Sequence, residues 1–221
     1  MFEGFWEPLS LSIKIAILSA IFAFGISLGV SKLLSSTTRK WVLSIELLLL
    51  VPLVLPPSVT GLLLITVFGR NSIAGKAVES LFGEGLIFTW WAGVIAATVV
   101  VIPLMYQSLK LGFSSIEEDI KGAAKVDGAG GWALFWKIEM PLSYKYILTG
   151  FILSFARGLG EFGATLMFAG NIPGKTQTAS TAIYTSIETG RMEQAWTWAG
   201  SLIVISFLLL FIVQMMSKGK E

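Results

Sequence analysis

Five apolar runs dominate this chain, near residues 12–33, 41–68, 86–109, 146–169 and 196–216. Each is long enough to cross the roughly 30 Å of a bilayer's hydrocarbon core at 1.5 Å per helical residue. Only 14% of the 221 residues are charged, against about 25% in an ordinary soluble domain. The mean hydropathy of +0.77 agrees. Too few polar side chains exist to cover such a chain in water, so the bilayer is its expected solvent. The expected fold is an all-α membrane protein of about five transmembrane helices, in a single domain over residues 1–221.

The chain has no Cys and no His. That excludes thiol nucleophiles, disulfide frameworks, the usual zinc sites and any Ser-His-Asp arrangement. The first eight residues carry Glu3 and Glu7 but no Lys or Arg. They lack the basic start of a cleaved signal peptide, so the first apolar run is expected to stay as a span. No basic patch suggests nucleic acid.

The second run holds Pro52, Pro56 and Pro57 and is too long for one straight crossing. Proline removes a backbone donor and clashes with the preceding turn, so this run should bend or break near Leu55-Pro56-Pro57. The result is either a packing kink or a span that borders a pathway, since freed carbonyls at membrane depth need protein or a watery cavity.

Charge placement sets the expected orientation. Lys32 ends the first run and Arg39 and Lys40 follow it, Lys110, Lys121, Lys125, Lys137 and Lys145 follow the third, and Lys218 and Lys220 the fifth. The other side carries Arg70, Lys76, Lys175 and Arg191, while Lys14 and Arg157 fall inside runs. A split of ten to four puts the N-terminus outside and the C-terminus in the cytoplasm. Glu46, early in the second run, is expected to reach the cytoplasmic interface or pair with Lys40.

The largest loop on the cytoplasmic side spans residues 114–145. Ile116, Ile120, Ala123, Ala124 and Val126 predict a short amphipathic helix, with Glu117, Glu118 and Asp119 near its N-terminus, where the helix dipole favours acids. Gly128, Gly130 and Gly131 then punctuate the chain. A second apolar stretch through Trp132, Leu134, Phe135, Trp136 and Ile138 is expected to end at Met140-Pro141. Such a loop either offers its apolar face to a cytoplasmic partner or lies flat on the membrane, held by the two tryptophans.

Residues 122–128 (GAAKVDG), followed by Ile138 and Pro141, resemble the cytoplasmic coupling loop of ABC importer permeases, with Gly122 where that family usually has Glu and Met140 where it usually has Leu. Residues 52–57 (PLVLPP), 155–165 (FARGLGEFGAT) and 171–176 (NIPGKT) are similar to the molybdate branch. Sulfate and tungstate permeases share much of the pattern. The resemblance implies a type I ABC importer permease fold and a homodimer with the translocation pathway between copies. It also implies two cytoplasmic ATPase subunits, which would bind ATP and Mg, and an extracytoplasmic oxyanion-binding protein docked on an outer loop over residues 170–195. It makes Gly122, Ala123, Ala124, Asp127, Gly128, Ile138 and Pro141 the coupling residues. The chain itself would bind no cofactor and catalyse nothing.

Two motifs mislead. Residues 158–163 fit G-x-G-x-x-G but sit in an apolar run, with no strand before them. Small residues there serve close helix packing, as Gly25 and Gly29 are expected to in the first run. Residues 169–176 resemble a relaxed phosphate loop but begin with Ala169 where the strict form wants Gly.

Arg157 and Glu161 stand four apart, on one helical face of the fourth run. A charge at that depth costs several kcal/mol unless paired or wet. They form either a structural ion pair or, with Pro56 and Pro57, part of an anion pathway in which Glu161 holds Arg157. The hydroxyls of Thr176, Thr178, Ser180, Thr181, Thr185, Ser186 and Thr189 either line an outer anion surface or are ordinary loop residues; Ala182 to Ile187 predicts a short helix there. A membrane-embedded transferase, the rival from another class, needs convergent titratable groups that the spans do not supply.

Overall fold

The computed structural model describes residues 4–35 and 41–218. All regular structure among them is helical. Arg39 and Lys40 lie outside the described residues, as do Glu3 and Lys220.

Helix α5 (Trp90–Ser114) is the axis of the bundle. Thr89 caps its start by accepting the Ala92 amide. Small side chains let neighbours approach on several sides, and Ala92, Ala96, Ala97, Val101, Met105 and Leu109 are buried. Helix α1 (Trp6–Ser35) lies along it with Ile15, Ala16, Ala20 and Ala23 turned inward. Helix α9 (Tyr144–Leu159) packs against both. Glycines set these distances: a Cβ on Gly112 would lie 2.8 Å from the Tyr146 Cβ, and one on Gly150 2.7 Å from the Ser108 Cβ. Gly158 faces the Ser19 hydroxyl, as the close-packing reading expects. Gly25 and Gly29 do not: a Cβ on either meets nothing within 4 Å. They lie on a part of α1 that no other helix among the described residues covers.

Three helices, α1, α5 and α12 (Met192–Lys218), are long and apolar enough to cross a membrane alone. Two bent pairs bring the spans to five. The second run is broken rather than kinked: α2 (Trp41–Val54) and α3 (Pro57–Phe68) meet at 119°. Pro56 is extended (φ −55°, ψ 137°) and Pro57 opens α3, where its missing N–H would have had no partner. The fourth run, expected to be one helix, is broken as well. Helix α9 stops at Leu159 and α10 (Gly163–Ala169) leaves at 62°. Nothing in an apolar run with scattered glycines announces that break.

The two breaks pack on each other. A Cβ on Gly163 would sit 2.7 Å from the Pro57 Cβ, and one on Gly61 2.5 Å from the Met167 Cβ. Leu64 on α3, Ala164 and Phe168 on α10, and Ala96 and Val100 on α5 close a core behind them. By contrast α2 buries none of its residues. The most apolar stretch of α12 likewise buries none of its residues fully, though the helix packs on α9 and on α11 (Ala179–Glu188).

Helix α4 (Ile73–Phe82) was not expected; Ser72 caps it, and a Cβ on Gly75 would fall on the Gly69 carbonyl. Helix α11 (Ala179–Glu188) extends the short helix expected over residues 182–187.

Candidate functional site

Two places concentrate polar chemistry, one at mid-depth and one at an end of the bundle.

At mid-depth, Arg157 Nη1 lies 2.7 Å from Glu161 Oε2. The ion pair expected from their spacing therefore forms, but not along one helix. Glu161 falls in the break, and its other oxygen accepts the Ala164 amide at 3.0 Å, capping α10. Its side chain is 2% exposed against 39% for Arg157. The carboxylate charge is thus divided between the guanidinium and the first turn of α10. A cavity of about 250 Å³ opens beside the pair, between the breaks. Pro52, Leu55, Pro57, Thr60, Leu104 and Arg157 are among its lining residues. Of the four pathway residues read from sequence, Pro57 and Arg157 line it, Glu161 sits behind Arg157, and Pro56 is exposed at the bend. Thr60 was missed. Its signal was a hydroxyl three residues past the proline pair, two after Ser58, in a largely apolar segment.

The hydroxyls of the α11 region are spent internally. Thr178 and Thr181 make a reciprocal capping box, Thr176 accepts the Ile172 amide, Thr185 accepts from Asn171, and Ser12 of α1 accepts the Ala179 amide. Thr176, Thr178, Thr181 and Ser186 are buried, so these four shape the loop rather than facing solvent.

At the bundle's other end, α6 (Glu118–Val126) buries none of its residues and touches α7 (Gly131–Leu134). Ile116 precedes it and is buried, so it anchors the helix instead of joining its apolar face. Ile120 is 42% and Val126 88% exposed. Lys121 bonds Glu118 at 2.8 Å, and that hydrogen bond holds the Glu118 carboxyl below the usual range. Gly128, at φ +89°, closes α6: its amide donates to Lys125 O and the Ala129 amide to Ala124 O. These are the two bonds of a Schellman cap, which requires a left-handed residue at that position.

From Gly131 the chain is helical almost without pause to Leu159. Helix α7 (Gly131–Leu134) passes into a π-helical turn (Phe135–Glu139), then α8 (Met140–Leu142), one turn residue and α9. The stretch expected to end at Met140-Pro141 runs on, because Pro141 falls in the first turn of α8, where its missing N–H is harmless. Lys32 of α1 donates to Gly131 O at 3.0 Å and lies 4.0 Å over the Phe135 ring. Phe113 of α5 packs on Phe135 from another side. Gly122, Ala123, Asp127, Gly128 and Pro141 are exposed, while Ala124 and Ile138 are half-buried. Trp132 and Trp136 stack edge to face, 70% and 44% exposed. Near this end Glu46 Oε1 accepts from both Tyr106 and Lys110 at 2.7 Å, tying α2 to α5.

A helix bundle with two broken spans and an exposed handle is the architecture of a transport permease. The family model for binding-protein-dependent transport system inner membrane components matches residues 16–219, and the chain belongs to that family. It is 50% identical over 210 residues to the putative molybdenum transport system permease protein YvgM of Bacillus subtilis (strain 168), covering 95% of this chain and 92% of that one. It is 37% identical to the molybdenum transport system permease protein ModB of Escherichia coli (strain K12), over 96% of this chain and 92% of that one. The fold matches a bacterial ABC transporter involved in import of the acidic polysaccharide alginate, with a TM-score of 0.77 at 15% identity, over all of this chain and 82% of that one.

Proposed function

We propose that this chain is the permease subunit of an ABC importer for molybdate, working as a homodimer with two separate ATPase subunits and an external oxyanion-binding protein. The observation that carries the reading is the exposed handle of α6 and the π-helical turn, joined through α9 to the broken spans at mid-depth. An ATPase that grips Ile120, Ala123, Val126 and Trp132 differently in its two nucleotide states biases the bundle between two arrangements, as differential contact must. Gly122, Ala124, Asp127, Gly128, Ile138 and Pro141 shape that contact. Two copies enclose a path that five spans alone do not surround, and the uncovered faces of α2 and α12 leave surface for lipid and for the second copy. Names of similar proteins supply the cargo: one relative described above is named a molybdenum transport system permease protein and the other a putative one.

The orientation follows from charge. The handle end, with Lys32, Lys110, Lys121 and Lys125, faces the cytoplasm, and the α11 end faces outward to meet the binding protein. Because the chain has no Cys, single cysteines at Gly122 and Gln177 can be labelled without background. Labelling of the Gly122 position from outside intact cells would reverse the assignment. The function itself is tested in liposomes: ATP-dependent uptake of labelled molybdate should require both partners, and excess tungstate or sulfate should reveal the preferred anion. Uptake that proceeds without an ATPase would refute the proposal.

A further inference from the structure

The cavity between the two breaks has a chemistry of its own. Both breaks lie about 20 Å along their helices from the handle end, counting 13 residues at 1.5 Å from Trp41 to Val54 and from Tyr144 to Arg157. Several buried hydroxyls lack a partner, Ser27 and Ser154 among them, and of these Thr60 is the one among the residues that line this cavity. Thr60 is 3% exposed and lines the cavity, and its Oγ1 is buried with no hydrogen-bond partner. Arg157 lines the same cavity. One arm of its guanidinium is engaged by Glu161, and the fork offers further donors. Glu161 also caps α10, so it only partly cancels the arginine. The N-terminal end of α3, positive by its dipole, opens at Pro57 on the cavity wall.

An orphaned hydroxyl, a partly compensated guanidinium and a helix N-terminus all favour one kind of occupant. A cation would meet Arg157. A purely apolar ligand would leave the Thr60 hydroxyl, and the guanidinium donors that Glu161 does not take, without a match. The volume holds several waters at roughly 30 Å³ each, and the remaining walls are aliphatic. Taking the import reading above as its basis, we infer that this cavity is a transient oxyanion site. In it a tetrahedral dianion accepts hydrogen bonds from Arg157 and from the Thr60 hydroxyl, near the start of α3. Half-helix N-termini at the bilayer midplane suit anionic groups for the same reason. One cationic side chain and one neutral donor hold the ion briefly without trapping it.

The test pairs stability with uptake in the reconstituted transporter. Thr60→Val keeps the shape and removes the hydroxyl. It should leave the thermal midpoint equal or higher, since an unpartnered buried polar atom is gone. Uptake of labelled molybdate should fall about tenfold or more, the usual weight of a hydrogen bond to a charged group. Thr60→Ser should restore it. In a second arm, tungstate should raise the midpoint of the unaltered chain and of Thr60→Ser but not of Thr60→Val, and equal chloride should do nothing. Uptake by Thr60→Val within about twofold of the unaltered protein, or equal shifts from chloride and tungstate, overturns this site and leaves the import function standing. An unaltered protein that takes up no molybdate fails the function first, and this inference with it.

Discussion

Gly128→Val isolates the handle from the bundle. At φ +89° an L-residue meets its own carbonyl, at about 1–2 kcal/mol for alanine and more for a β-branched side chain. A Cβ at this position touches nothing within 4 Å, so the penalty is conformational and not a clash. It falls on α6, whose nine residues are fewer than the roughly 12–15 an isolated helix needs. A penalty of that size shifts the closed cap about five- to thirty-fold toward open. The Ala129 amide should then exchange faster by a similar factor, and ATP-dependent molybdate uptake should fall with it. The thermal midpoint of the bundle should stay where it is, because the exposed side of α6 supports no other helix. Gly128→Asn, whose side chain tolerates the left-handed region, should lie between. Full uptake by the valine variant would refute the coupling role, and a lowered midpoint would refute the claim that the cap is local.

Gly163→Ala presses a methyl onto the rigid Pro57 ring and should lower stability by about 1–3 kcal/mol, read as a lower unfolding midpoint; Gly122→Ala, with open space around it, should slow amide exchange within α6 slightly and leave the midpoint of the bundle where it is. Glu46→Gln weakens the tie from α2 to Tyr106 and Lys110, so amide exchange over residues 41–54 should quicken while α5 stays protected; unchanged exchange would show that α2 is held elsewhere. Glu118 has its folded pKa lowered by Lys121, so its support for α6 is present above the ordinary carboxylate range and fades as pH falls through the lowered value. Lys121→Ala should flatten that acid dependence of α6 exchange, and a persisting slope would assign it to another group.

The spans and the handle were legible because their signals are local. Apolar length marks a crossing, Pro56-Pro57 marks a break, and the left-handed turn at Gly128 is written in a single glycine. The break at Gly160 to Phe162 was not legible, since it is stabilised by a capping bond that the Ala164 amide donates to Glu161 and that an ion-pair spacing of four disguises. Glu46 was expected to reach the cytoplasmic interface or to pair with Lys40, which lies outside the described residues; Lys110, its partner in the fold, comes 64 residues later. Only the α2–α5 packing brings the two together. Thr60 gained its meaning in the same way, from a cavity that two separate breaks create.

The near-continuous rod from the handle into α9 has a mechanical consequence. Its last 16 residues span about 24 Å at 1.5 Å each. A tilt of roughly 10° at the handle therefore swings the far tip by about 4 Å, a good part of an oxyanion's width. On the import function proposed above, leverage of that size would open or shut the cavity beside Arg157 without unwinding a single turn.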